Sequence, residues 1–307
     1  MRALAVAIIA LLSVQAPLRS DYPAEIQKHR DERVAELIAP NGWLAVAGLF
    51  WLREGMNTAG SDPDKAIRLP PRAPKTLGAF ELKQGTVTFT ADAGVRLTAS
   101  GKPVNHFTFE PARGEESAIA IAGLTLFVIK RGDRYGVRLL DPESEQRRRF
   151  NGLRYFPVQR AYRVRAAFTP YSKPKQVPVP NVLGMTVPME SPGYVTFTMN
   201  GRSYRLEPVY ESDKREDLFF IFKDQTSGKE TYGAGRFLHT PLPKNGSVDL
   251  DFNKAYNPPC AFTAFATCPL PTKQNQLPVA IRAGELNYHW SRRATSGSTR
   301  DARLAGK

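Results

Sequence analysis

The sequence predicts a mainly β protein built as two β domains with one N-terminal helix. Three observations carry this expectation. Most apolar segments are short, alternate with polar residues and end in Gly-containing turns, which is the pattern of all-β sandwiches and barrels. Helical spacing is confined to one stretch, Tyr22 to Ala39. The stretch Leu250 to Pro271, LDFNKAYNPPCAFTAFATCPLP, can be neither helix nor central strand, because proline fixes φ and removes a donor. It reads as a long ordered loop holding both cysteines of the chain, Cys260 and Cys268.

Each element follows in order. The opening MRALAVAIIALLSV joins a positive Arg2 to an apolar run of 12 residues, Ala3 to Val14, too short to span a bilayer comfortably. Residues 1–20 are therefore expected to be an export signal, giving a periplasmic or secreted protein with no membrane span after cleavage. In the helix, Ile26, Val34, Leu37 and Ile38 recur at helical spacing, and Pro40-Asn41-Gly42 ends it. Trp43 to Leu52 is an apolar run expected to form one buried strand or two short ones. Hairpins are expected around Gln84-Gly85, Ser100-Gly101 and Arg131 to Arg134. These elements, residues 21–145, make up the first domain.

Residues 146–290 are assigned to the second domain, expected to be a β sheet or barrel. A basic stretch, EQRRRFNGLRYFPVQRAYRVRAAF, leads into it as the crossover. Gln176 to Val182 is broken by proline and reads as an edge strand. Tyr194 to Met199 and Ser203 to Val209 flank Asn200-Gly201, the strongest short-range hairpin signal in the chain. Leu218 to Lys223, Gly235 to His239 and Ser247 to Phe252 are further strands, and the 253–275 loop is expected to close the open end. Residues 291–307 are basic, polar and expected to be disordered.

The net charge is +14, of which the leader and tail supply +6. The remaining excess is moderate. An exported protein seldom meets nucleic acid, so no nucleic-acid partner is expected, and a small polar or anionic ligand, or a polyanionic envelope surface, suits the charge better. No cofactor fingerprint occurs in the chain.

Several stretches resemble a known family. Leu218 to Leu238 (LFFIFKDQTSGKETYGAGRFL) and Leu250 to Glu285 are similar to the bacterial domain of unknown function 1684. GLFWLREGMNTAGSD and RGDRYGVRLLDPES in the first half also resemble it, so the likeness spans nearly the whole mature chain. The resemblance implies no activity. Gly55 to Leu139, through GMNTAGSDPDKAIRLP, a hairpin, GKPV and a late strand pair, resembles a forkhead-associated sandwich. Such domains read phosphothreonine through an Arg after the first Gly and a Ser-x-x-His motif. Here Ser61 follows Gly60 and no Ser-x-x-His follows Leu69, so the phosphate-reading residues are absent.

Candidate residues cluster late in the chain. The Gly-rich stretch Thr226 to Arg236 offers backbone N–H groups that can cradle an anion, with Lys229 and Arg236 neutralising it; the alternative is a hairpin turn with solvated charges. Asn253, Lys254 and Asn257, beside Asp251, either line a pocket or brace the loop. Cys260 and Cys268, with seven residues between them, are a disulfide candidate in an exported chain. The alternatives are a free thiol pair, or Cys260 as a nucleophile. The leading expectation is an exported binding module for a polar or anionic ligand at residues 226–275. The alternatives are a hydrolase with Cys260 or Ser227 as nucleophile and His239 or His289 as base, and a structural envelope protein. Zinc-ligand spacing is missing, so no metal site is expected. Arg163 and Arg165 share one strand face, as solvated charge or as an anion patch.

Overall fold

The computed structural model describes residues 21–288; the expected export signal, His289 and the basic tail lie outside the described residues. The architecture is mainly β, with one long N-terminal helix. That helix, α1 (Tyr22–Ile38), has Pro23 in its first turn, where a missing N–H costs nothing, and buries Tyr22, Ile26 and Leu37 on one face. Chain order groups it with the first domain, yet its polar contacts go to the second. Tyr22 donates to Asp251 Oδ1 at 2.8 Å, Arg30 to the Phe156 carbonyl at 2.9 Å and Arg33 to Glu285 Oε1 at 3.2 Å. The helix straps onto the far half of the chain.

The first domain is a β-sandwich. Its strands are β1 (Val46–Trp51), β2 (Gly55–Gly60), β3 (Ile67–Arg68), β4 (Gly78–Lys83), β5 (Thr86–Ala91) and β6 (Leu97–Ala99). They continue with β7 (Lys102–Val104), β8 (His106–Phe109), β9 (Ala118–Ile121), β10 (Leu124–Arg131) and β11 (Arg134–Leu140). One sheet runs β1-β11-β10-β9-β6-β7 and the other β3-β2-β4-β5-β8. Phe80, Phe89, Leu126, Val128, Val137 and Leu139 interdigitate between them. The expected hairpins form in place. The run from Trp43 splits into a 3-10 turn, Trp43–Ala45, followed by β1.

The second domain is an open sheet pair, not a closed barrel. Its strands are β12 (Arg163–Pro180), β13 (Thr186–Met199), β14 (Arg202–Leu206), β15 (Asp217–Phe222), β16 (Arg236–Pro241) and β17 (Ser247–Asp251). Four of them run β14-β13-β12-β17, while β15 and β16 pair alone. Ala166, Val195, Phe197 and Leu206 from the first sheet meet Phe220, Phe222 and Leu238 from the second. Asn200 and Gly201 both take positive φ, as a type I′ turn between β13 and β14 demands. The proline-broken segment at Gln176 is the far end of an 18-residue strand, β12, whose register with β13 shifts between Pro170 and Lys175. Beyond that shift the two strands run out as a two-stranded arm, where missing proline donors are tolerated.

The 253–275 loop does not cap the end of this domain. It lies on the outer face of β15 and β16, because β15 buries both of its faces. Leu218, Phe220 and Phe222 point into the core, while Phe219 and Ile221 point outward under the loop. Three loop side chains then enter three separate apolar clusters. Phe262 packs with Leu37 and Leu44, Phe265 against Val46, Phe127 and Leu140 of the first domain, and Ala266 with Phe219 and Ile221. Thr263 donates to the Val46 carbonyl at 2.9 Å, and Val182, on the arm, donates to the Cys268 carbonyl at 3.1 Å. The loop is thus the joint between helix, sandwich and arm.

Phe262→Ala is expected to lower stability by about 3–5 kcal/mol, since it empties a fully buried aromatic site. Urea unfolding followed by fluorescence checks this. A loss below about 1 kcal/mol would mean that the loop is not anchored there.

Candidate functional site

The Gly-rich turn between β15 and β16 is closed on itself. The N–H groups of Lys229, Glu230 and Thr231 all donate to the Thr226 carbonyl, and Gly228 donates to the Thr231 carbonyl at 2.9 Å. Those donors cannot also cradle an anion. Asp224 organises the turn from inside, accepting from Thr226 N at 2.7 Å and from Arg236 Nη2 at 2.6 Å. Arg236 is 1% exposed, and also donates to the carbonyls of Ala283 and Ile281. Burial pulls its pKa down, and Asp224 opposes that shift. Gly235 has φ +104°, and a Cβ there would lie 2.6 Å from the Phe222 carbonyl, so glycine is required for the strand to enter the turn. The expected anion cradle is therefore corrected: Arg236 is an internal clamp, and Lys229 alone remains exposed.

The polar residues before the cysteines also brace the fold. Asn253 is buried and donates to Tyr22 Oη at 2.9 Å and to the Gln159 carbonyl at 2.9 Å. Lys254 pairs with Glu25 at 2.6 Å. Asn257 N donates to Glu285 Oε2 at 2.8 Å, and its side-chain amide donates to the Leu286 carbonyl at 2.8 Å. Burial raises the Glu285 carboxyl above its ordinary range, against the pull of Arg33. Together these contacts tie α1 to the loop.

The arginines of the crossover are largely engaged as well. Arg163 pairs with Asp249 at 2.6 Å, Arg165 donates to Ser247 Oγ at 3.1 Å, and Arg147 donates to the Ile38 and Pro142 carbonyls. Two shallow surface depressions lie beside them. One, of about 400 Å³, includes Arg165 and Lys244; the other, of about 440 Å³, includes Arg147 and Arg148.

The catalytic pair expected of a hydrolase is not assembled among the described residues. Ser227 Oγ accepts from Asp224 N at 3.2 Å. His239 Nδ1 lies 2.7 Å from Asp217 Oδ2 and its ring stacks on Phe219 at 4.6 Å. Neither Cys260 nor Ser227 hydrogen-bonds it.

The cysteines do come together. Cys260 is half-buried and Cys268 is buried, and both are free thiols. The Cys260 N–H donates to Cys268 Sγ at 3.2 Å. The neighbouring Cys268 side chain lowers the Cys260 pKa against the effect of burial, while Cys260 and burial together raise that of Cys268. Tyr232 donates to the Cys260 carbonyl at 3.1 Å, which fixes that side of the pair.

Two arginines of β10 and β11 face this pair, and neither was singled out from the sequence. Arg138 is 6% exposed, and its Nε and Nη2 are buried with no hydrogen-bond partner. Its guanidinium lies over Trp43 at 5.1 Å and Phe127 at 5.9 Å. Burial pulls its pKa down to about 10, the neighbouring Arg131 charge pushes the same way, and the thiols and Glu115 pull it back up. Arg131 Nε donates to Thr267 Oγ1 at 3.0 Å, one residue from Cys268. A buried cation with unmet donors costs several kcal/mol unless an anion compensates it. One signal in the sequence pointed here. Leu124 to Ile129 lacks alternation, so both faces of β10 had to be covered.

A family model described as Protein of unknown function (DUF1684) matches residues 148–286, and the chain belongs to that family. The first-half stretches that resemble it lie outside the matched residues. No curated protein matches the chain. A solution NMR structure of an uncharacterized Haloarcula marismortui protein is 32% identical, over 48% of this chain and 82% of its own, with a TM-score of 0.40. Two forkhead-associated domain structures each align over 29% of this chain, with a TM-score of 0.21. One is a complex with an intracellular domain, 16% identical; the other comes from work on phosphothreonine-dependent interactions, 17% identical.

Arg236→Met is expected to cost about 3–5 kcal/mol, because it leaves the Asp224 carboxylate buried without its partner. Lys229→Ala should change stability by less than about 0.5 kcal/mol. Chemical denaturation of both variants separates a clamp from a surface charge, and equal small effects would contradict the clamp.

Proposed function

We propose that this member of the family is an exported protein whose Cys260–Cys268 pair carries out thiol–disulfide exchange. The observation that carries the reading is the meeting of two free thiols, one half-buried and one buried, beside a buried guanidinium with unmet donors. A nearby cation favours thiolate over thiol, and the thiolate is the attacking species. Export rests on the Arg2-led apolar segment at the N-terminus.

The chemistry balances with a disulfide as the oxidant. The Cys260 thiolate attacks one sulfur of RSSR, forming a mixed disulfide and releasing RS⁻, which takes up a proton. Cys268 loses its proton and attacks the Cys260 sulfur, forming the internal disulfide and releasing the second thiol. Two protein thiols are oxidised and one RSSR is reduced to two RSH. The half-exposure of Cys260 and the burial of Cys268 suit attacking and resolving roles respectively. The expected polar-ligand site at residues 226–275 finds less support, since Arg236, Asn253, Lys254 and Asn257 are engaged within the fold. The hydrolase reading lacks a base bonded to either nucleophile among the described residues.

The test is equilibration of the purified protein in a series of reduced-to-oxidised glutathione ratios, quenching with N-ethylmaleimide and weighing of the intact protein. The expected result is one reversible transition between two adducts and none. Cys268→Ser should accumulate a glutathione adduct on Cys260. A pair that stays reduced throughout, or stays oxidised under the most reducing mixture, contradicts exchange.

A further inference from the structure

The surroundings of the thiol pair point to the kind of disulfide it meets. The first domain sets two cations beside the sulfurs, and Glu115 acts on one of them, Arg138. Arg138 and Arg131 both interact electrostatically with Cys268, and Arg138 with Cys260 as well. Glu115 is exposed and is itself engaged by Asn41 at 3.3 Å. Arg138 presents two buried, partnerless donors, Nε and Nη2, which form one fork of the guanidinium. Both atoms are closed off from solvent, so Arg138 acts on a ligand through its charge. Arg131 is half-exposed and commits only Nε and Nη1, to Thr267 and to the Lys130 carbonyl.

Trp43, Met189, Tyr256 and Cys260 are all half-buried and pack on the cluster that holds Cys268.

We propose that the substrate of the Cys260–Cys268 pair is a disulfide bearing carboxylates, with the half-exposed Arg131 receiving a carboxylate and the buried charge of Arg138 adding to its attraction while Cys260 attacks the sulfur. The proposal rests on the exchange reading and adds the substrate class. The carboxylate answers the two guanidinium charges beside the thiols. It also holds the disulfide close to Cys260, and it is absent from a cationic disulfide of similar size. The favourable field falls off with salt, because Arg131 is partly open to solvent.

The experiment compares oxidation of the full-length reduced protein by glutathione disulfide, which is anionic, and by cystamine, which is cationic. Each rate is divided by that disulfide's rate with 2-mercaptoethanol, which removes intrinsic reactivity. The expected result is a normalised preference for glutathione disulfide of roughly tenfold at low ionic strength, shrinking as salt rises. Arg131→Gln, a half-exposed position that folding should tolerate, is expected to reduce the preference severalfold, and Arg138→Met to abolish it. Equal normalised rates, or faster reaction with cystamine, would overturn the substrate class while leaving exchange intact. A pair that neither disulfide converts to the internal disulfide would overturn exchange itself, and the substrate class with it. Should Arg138→Met fail to fold, the Arg131→Gln comparison and the salt dependence still decide the matter.

Discussion

The seven-residue step from Phe262 to Cys268 must satisfy three apolar clusters at once, and the rest of the molecule is arranged around that demand. Phe262 closes the seam under α1, Phe265 covers the outer face of the first sandwich, and Ala266 with Cys268 covers the outer face of β15 and β16. Three anchors in so short a span leave the intervening backbone little freedom. The sulfurs are therefore placed by packing rather than by a covalent bond between them. The same packing forces Arg138 out of water, because the strand face that carries it is the one the loop covers. A sheet face that would ordinarily be solvated becomes an interior, and Arg138, buried in it, becomes an electrostatic neighbour of two thiols.

The polar residues of the second domain answer a different need. A domain with one two-stranded sheet leaves many backbone groups of its long loops inside, and each must find a partner. Asp224 and Arg236 serve the Gly-rich turn and the 281–283 carbonyls, while Glu285 and Asn257 serve the chain behind Cys260. Arg33 and Lys254 extend the network to α1. Charged groups gathered near a Gly-rich loop look like a ligand site in one dimension. In three dimensions they stand in for the regular ladder the loops lack.

Much of the fold was legible in the sequence. The helix, the hairpins at Gln84-Gly85, Ser100-Gly101 and Asn200-Gly201, and the strands near Leu218, Gly235 and Ser247 follow from spacing and turn chemistry, which act locally. What was not legible depends on which faces meet. The union of Arg163 to Pro180 into one strand depends on pairing with β13, and the open sheet pair depends on how Phe219 and Ile221 are covered. The candidate site divides along the same line. Cys260 and Cys268 stand out by residue type and neighbourhood. Arg138 lies more than a hundred positions earlier in an apolar strand, and only the docking of Phe265 and the closeness of Trp43 bring it to the thiols. Arg236 was visible as a cation, but its burial against Asp224 was not.

The central claim is that the Cys268 side chain and the buried charge of Arg138 together favour a thiolate at Cys260. Thiolate absorbance near 240 nm, followed as a function of pH in the reduced wild-type protein and in Arg138→Met, tests it most directly. The account expects one thiolate in the wild type to form below the ordinary thiol range, which lies near pH 8.5, and to form at clearly higher pH in the variant. Superimposable titrations of the two proteins would show that Arg138 does not govern the thiol, and would contradict the account.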